Sequence, residues 1–231
     1  MLKPIKCSGL VFSEACLLEE YYFLFGIAAL YRPAQILEIG TNTGLGSLAL
    51  WGGAHSACNR SVNITTIEHN PALVPYIKAN WEVQQASLRN LHILTGDSKE
   101  LVPKLREAGR KFDLCFIDGN HSYEGACTDW NNTQGMTGLW LLHDSSQMPG
   151  VRRLIRQIRA TEKYNVFGFD EYPFGTQWNS RTNSYMTKKS IPGITIVTLK
   201  SEQYPVSPEE QAYLDTVRAI ESTEEQIPLK L

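Results

Sequence analysis

The sequence predicts an α/β chain built on a doubly wound sheet, mostly parallel, with an antiparallel hairpin among its last strands. Three observations predict it. Short apolar runs alternate with segments of helical length from about residue 35 to residue 160, the pattern of parallel strands covered on both faces by crossover helices. Glycines, acids and hydroxyl residues cluster just after those runs, where doubly wound folds hold ligands. Beyond residue 160 two more strand-like runs follow with no helix between them, which reads as a hairpin.

Each element has a local cause. Ser13 can cap a helix that runs to about Tyr31, and Pro33 stops it. Gln35 to Ile39 (QILEI) is the first strand. The chain turns from Gly40 to Gly44, and a helix runs on through Trp51. Ile64 to Glu68 (ITTIE) is the second strand, and Pro71 opens a helix at a position that tolerates proline. LHILTG is the third strand, followed by a helix from Ser98 to about Ala108. Phe112 to Asp118 is the fourth strand, Tyr123 to Gln134 a helix, and Gly138 to Asp144 the fifth strand. Pro149-Gly150 precedes a helix bearing Arg152, Arg153, Arg156 and Arg159, which reads as a solvated face. YNVFGFDEY and GITIVTLK are the two late strands, with NSRTNSYM between them. Residues 1–204 are expected to form one domain, and residues 205–231 a tail with a weakly amphipathic helix over about Ser207 to Thr223.

Length and composition narrow the function. A chain of 231 residues can bury a full core, and 42% hydrophobic with 20% charged residues is a globular composition. The formal net charge of -2 lacks the basic footprint of a nucleic-acid binder. The five cysteines include no C-x-x-C pair, so neither a disulfide framework nor a zinc site is suggested. MLKPIKCSGL lacks the apolar core of an export signal, and the most apolar helical stretch, Ala15 to Leu30, contains Glu19 and Glu20. The expectation is a cytoplasmic protein without a membrane partner.

The ends of the first three strands carry a ligand-binding pattern. Glu38 and Gly40-Thr41-Asn42-Thr43-Gly44-Leu45-Gly46 follow the first. Glycines here let the backbone pass close to a ligand, and the next helix offers free N–H groups. Glu68 ends the second strand, where a carboxylate can accept both hydroxyls of a ribose or simply sit as an exposed charge. Gly96-Asp97-Ser98 ends the third; Asp97 and Ser98 suit an adenine amino group and a helix cap equally well. The run ILEIGTNTG, with Glu68 and Gly96-Asp97, resembles the cofactor motifs of class I S-adenosylmethionine (SAM) dependent methyltransferases. That resemblance implies a Rossmann-like SAM-methyltransferase fold. It places the methionine part of SAM on Glu38, Gly40, Thr41 and Gly44, the ribose on Glu68, and the adenine side on Asp97 and Ser98. A dinucleotide site would instead show G-x-G-x-x-G, whereas Gly40, Gly44 and Gly46 are spaced G-x-x-x-G-x-G.

The ends of the fourth and fifth strands carry candidate chemistry. Asp118-Gly-Asn-His121-Ser-Tyr123 closes one and His143-Asp144 the other. Two carboxylates from adjacent strand ends, Asp118 and Asp144, suit Mg²⁺, which lowers the pKa of a bound hydroxyl. His121 suits a general base. The alternative is that these acids cap loops and both histidines are satisfied by local hydrogen bonds. Tyr123 reads as packing or substrate wall, and Asp129 as a loop-orienting group.

The pattern D-G-x-H-x-Y with a later H-D is similar to a subgroup of SAM-dependent O-methyltransferases that includes sugar and macrolide enzymes and relatives of a cephalosporin-biosynthesis methyltransferase. The similarity spans roughly Glu19 to Lys200. It implies Asp118, His143 and Asp144 as metal ligands and His121 with Asp118 as the catalytic pair, Asp118 also bordering the cofactor. The subgroup has two acids where this chain has His143-Asp144, so Mn²⁺ becomes an alternative to Mg²⁺. A small-molecule acceptor and a homodimer are implied by the resemblance alone. The aromatic and amide-rich segment Phe169 to Asn179 is a candidate acceptor wall, and Tyr21, Tyr22 and Phe23 suit a lid or the core. Two rival readings are an NAD-dependent oxidoreductase and a non-catalytic SAM-fold interaction module.

Overall fold

The computed structural model describes residues 5–7, 10–12, 18–57, 61–146, 148–168, 175–179, 184–188 and 193–200. The expected cap Ser13, the residues 169–174 of the aromatic segment and the tail helix lie outside them. β1 (Ile5–Cys7) and β2 (Leu10–Phe12) pair antiparallel, a hairpin that sequence reasoning did not anticipate. α1 follows (Leu18–Tyr31). The central elements then alternate as predicted: β3 (Gln35–Ile39), α2 (Leu45–Ala57), β4 (Asn63–Glu68), α3 (Val74–Val83), β5 (Leu91–Thr95), α4 (Ser98–Glu107), β6 (Leu114–Ile117), α5 (Tyr123–Thr133), β7 (Leu139–Leu142) and α6 (Pro149–Ala160). The late strands are β8 (Tyr164–Phe167), β9 (Gly175–Asn179), β10 (Ser184–Lys188) and β11 (Thr195–Leu199).

The main sheet has the order β5-β4-β3-β6-β7-β11-β8, and its first five strands are parallel. The order reverses between β3 and β6, so the crevice for a ligand opens beyond the carboxyl ends of those strands. Period-two alternation sorts side chains to the two faces. Leu37, Ile39, Cys115, Ile117, Trp140 and Leu142 face the layer of α4, α5 and α6, packing on Val102, Trp130, Leu154 and Ile158. Ile36, Ile64, Leu114, Phe116, Leu139 and Leu141 face the other layer, with Leu24 of α1, Leu50 of α2 and Ile77 and Trp81 of α3.

Two details differ from the sequence expectation. Pro71 opens a 3₁₀ turn (Pro71–Leu73) rather than the helix itself. A helix begun there would need the N–H of residue 75 to reach Pro71 O, and residue 75 is also proline. Val74 N–H bonds Pro71 O instead, Asn70 caps the turn, and α3 starts one turn late. The late hairpin does form, since β11 pairs antiparallel with β8. However, β11 enters the sheet between β7 and β8 and pairs antiparallel with both. Its Thr195 and Val197 are fully buried, whereas β8 offers partly exposed residues and ends on an exposed Phe167. The strand better able to lose water takes the inner place. β9 and β10 form a separate two-stranded ribbon. Among the described residues, no helix is long and apolar enough to cross a membrane.

Candidate active site

The turn after β3 is shaped by glycine. Gly40 has φ +91°, and a Cβ there would lie 2.1 Å from the carbonyl oxygen of Asp118. Only glycine lets this turn lie flat against the end of β6. Gly44 has φ +81° and packs on Ile77, and Asn42 between them also takes a left-handed conformation at φ 53°. Buried Asn80 of α3 donates to Thr43 O at 2.8 Å and so pins the loop from below.

Two carboxylates brace this loop. Glu38 is 1% exposed and points towards α2, where its carboxyl accepts from Ser47 and, at 2.5 Å, from Thr66 Oγ1. Burial pushes its pKa up to about 8, with Asp118 and Glu68 adding to the rise and the two hydroxyls opposing it. Thr41 Oγ1 meets the same Thr66 hydroxyl, so the loop, β4 and α2 are tied through one buried group. Glu68 accepts from the backbone N–H of Asn42 and of Asn70, both at 2.7 Å. At the end of β5, Asp97 caps α4 by accepting from Lys99 N at 2.9 Å, and Ser98 Oγ donates to Asp129 at 2.6 Å.

The second group lies where β6 and β7 end. His121 Nε2 is 3.1 Å from Asp118 Oδ1 and 3.6 Å from Asp144 Oδ2. His143 Nδ1 is 2.7 Å from the same Asp118 oxygen and 3.7 Å from Asp144 Oδ1. One potential ligand atom from each of these four residues falls within 4.8 Å of the others. Asp144 has φ +54°, a left-handed conformation uncommon for aspartate, and it turns the chain at the site. A Cβ on Gly150, in the first turn of α6, would lie 2.5 Å from His121 O, so α6 closes tightly on the loop that carries His121.

The charges are mutually adjusted. Burial raises the Asp118 pKa, but hydrogen bonds and charge from His121 and His143 outweigh it and hold the carboxyl below its ordinary value. Its hydrogen bond to Asp118 raises the pKa of His121 despite burial. Burial also raises the Asp144 pKa, partly offset by the two histidines.

Sequence reasoning thus placed Asp118, His121, His143 and Asp144 at strand ends that the fold brings together. It missed four residues: Ser47 and Thr66 around Glu38, Asn80 of α3 beneath the loop, and Glu20. Glu20 comes from α1, is 6% exposed, and sets its Oε1 3.2 Å from His143 Nε2. Its only sequence signal was a charge inside an otherwise apolar helix.

A glycine turn lies at the switch point, with acids at successive strand ends, the place where doubly wound folds hold ligands. Residues 37–145 match a family model described as a methyltransferase domain. Over that stretch the chain matches a methyltransferase domain, and its fold is the Rossmann-like fold of SAM-dependent methyltransferases. Solved methyltransferases share its fold. An O-methyltransferase from Bacillus cereus in complex with S-adenosylhomocysteine (SAH) superposes with a TM-score of 0.63 at 15% identity, covering 81% of this chain and 84% of that one. An O-methyltransferase from Streptomyces achromogenes involved in tomaymycin synthesis, in complex with SAM, gives 0.60 at 18% identity over 81% and 82%. An SAH-bound methyltransferase from Podospora anserina gives 0.55 at 16% identity over 80% of each chain. No curated protein matches the chain in sequence. The strand order and the inserted antiparallel β11 are therefore those of a methyltransferase sheet.

Proposed function

We propose that this methyltransferase is an O-methyltransferase acting on a hydroxyl of a small molecule, assisted by a divalent cation, in the manner of the sugar and macrolide subgroup. The observation that carries this reading is the Asp118, His121, His143 and Asp144 group beside the Gly40 turn. Asp118, Asp144 and His143 would hold the cation. The donor chemistry fits one: with Glu20, three carboxylates surround two imidazoles, an excess of negative charge in a largely buried place. Mixed oxygen and nitrogen donors admit Mn²⁺ as well as Mg²⁺. When bound, the cation makes an acceptor hydroxyl more acidic.

The chain's own groups do the rest. The Gly40–Gly44 turn and Thr41 receive the methionine end of SAM, Glu68 the ribose, and Asp97 with Ser98 the adenine side. Glu38 acts through the loop it braces. His121 is half-buried, between Asp118 and Asp144, and takes the proton of the acceptor hydroxyl. Those carboxylates stabilise the imidazolium that results. The acceptor oxygen then displaces the methyl group from sulfur, and alignment of the two supplies much of the rate. A homodimer is part of the proposal, supported by the exposed Tyr22, Phe25, Leu30 and Tyr31 of α1.

The test is methyl transfer from tritiated SAM to a panel of sugars, phenols and macrolide alcohols, with and without chelator. Label in a methyl ether, lost with chelator and restored by Mg²⁺ or Mn²⁺, is expected. Transfer to nitrogen or carbon alone, or indifference to the chelator, would contradict the hydroxyl or the cation part respectively.

A further inference from the structure

We propose that the outward face of α6 is an anion subsite for the methyl acceptor: Arg152, Arg153 and Arg156 bind a phosphate or carboxylate that the acceptor carries besides its reacting hydroxyl. The proposal rests on the small-molecule O-methyltransferase reading and names the class of acceptor within it.

Helical periodicity divides α6 into two faces. Val151, Leu154, Ile155 and Ile158 are buried in the core. Pro149, Arg152, Arg153, Arg156, Gln157 and Ala160 recur on the other side and line an open cavity of about 410 Å³. This face lacks the counter-charge of an ordinary solvated one. α6 contains no acid, and among the described residues none of the three arginines pairs with a carboxylate. Arg152 and Arg156 stand one turn apart, where like charges repel. Arg152 closes the first turn and Arg153 follows it, near the positive end of the helix dipole, which disfavours cations and favours an anion. Arg152 Nη2 donates to Ser146 O, but its Nε is buried and has no acceptor among the described residues. A buried N–H without an acceptor is costly, and a bound anion supplies one.

The same face is tied to both loops that carry the candidate catalytic groups. A Cβ on Gly150 would lie 2.4 Å from Tyr123 N as well as 2.5 Å from His121 O, so the start of α6 lies directly on the His121 loop. The Arg153 guanidinium carbon sits 3.9 Å from the centre of the Tyr123 ring, and the Tyr123 hydroxyl donates to Gln157 Oε1 at 2.6 Å. Tyr123 is thereby a platform that holds Arg153 flat. On the other side, Arg152 reaches Ser146, just past Asp144. Arg153 and Arg156 follow Gly150 by about 4.5 and 9 Å along the helix axis. A small acceptor can span that length with its hydroxyl at His121 and its anion on the arginines. The planar fork of arginine meets phosphate and carboxylate alike with two parallel hydrogen bonds.

The experiment follows arginine Nε–H signals by nitrogen-15 NMR while inorganic phosphate, or succinate, is titrated into the SAH-bound full chain with chelator present. Sodium chloride at equal ionic strength is the control. The proteins are wild type, the double variant Arg153→Gln with Arg156→Gln, and Arg89→Gln, which removes an exposed arginine between α3 and β5. Circular dichroism checks folding. Expected are saturable shifts of the Arg152, Arg153 and Arg156 signals beyond those with chloride, unchanged in Arg89→Gln. In the double variant the anion should bind at least about tenfold more weakly. Saturation by phosphate or by succinate distinguishes a phosphorylated acceptor from a carboxylic one. Transfer from tritiated SAM is then compared between a sugar and its phosphate, and between a phenol and its carboxylic acid. The charged member of a pair should be preferred, and the preference should fall at least about tenfold in the double variant. Shifts no larger than with chloride, or anion binding that survives in the double variant, would overturn the subsite. If the double variant does not fold, the wild-type titration and each single variant decide. A preference for uncharged hydroxyls would overturn the acceptor class. Saturable anion binding with transfer to nitrogen or carbon alone would fall on the hydroxyl reading and leave the subsite standing.

Discussion

Replacing Glu38 by glutamine should remove a specific pH dependence of stability. In the folded chain the Glu38 carboxyl is buried and its pKa rises from 4.5 to about 8. The unfolded chain returns it to its ordinary value. Between those two values the folded state keeps a proton that the unfolded state has released. Stability therefore falls as pH rises through this window, and is flat for this group below and above it. Each pH unit costs about 1.4 kcal/mol, so the fold loses about 5 kcal/mol from this one group by pH 8. That is a large share of a typical total of roughly 5–15 kcal/mol. Glu38→Gln keeps the size and an acceptor for Ser47 and Thr66 but does not titrate. Urea unfolding followed by tryptophan fluorescence, at steps from about pH 5 to pH 9, should show wild type weakening more steeply than the variant. The gap should widen by about 1.4 kcal/mol per unit up to about pH 8 and then level off. Parallel curves for the two proteins would refute the burial argument.

Three other outcomes follow from the same geometry. Gly40→Ala puts a Cβ 2.1 Å from Asp118 O at φ +91°, so the turn must shift; calorimetry should show SAH affinity down by about tenfold or more, a loss of at least about 1.4 kcal/mol. His121→Ala should leave SAH affinity unchanged while turnover on any accepted hydroxyl drops about 10²- to 10⁴-fold, and unaltered turnover would remove it as the base. Gln85 takes φ +54° just past α3, where glycine is favoured, so Gln85→Gly should raise unfolding free energy by a few tenths to about 1 kcal/mol in urea titration.

The sheet was legible because strand and helix periodicities differ, and because glycine and acid residues gather at strand ends for a shared geometric reason. Asp118, His121, His143 and Asp144 were legible as a group for the same cause: two neighbouring parallel strands end side by side. Glu20 was not, since it lies 123 positions before His143, beside a second acid, Glu19, in the first turn of an otherwise apolar helix. The surroundings of Glu38 were not either, because Ser47 and Thr66 are ordinary polar residues until α2 and β4 bring them to one carboxyl. The resemblance assigned Glu38 to the cofactor, and in the structure its carboxyl is buried and accepts from Ser47 and Thr66. Sequence pattern also gave the late strands as a hairpin without saying which would lie inside. That depends on which strand can better afford to lose water, a property of the assembled sheet.

The most direct test of the account is a calorimetric titration of the purified chain with SAH, with NAD titrated in parallel. Micromolar binding of SAH and none of NAD is the result the account predicts. Binding of NAD with no response to SAH would contradict it, and would make the Gly40–Gly44 turn a dinucleotide site of unusual spacing.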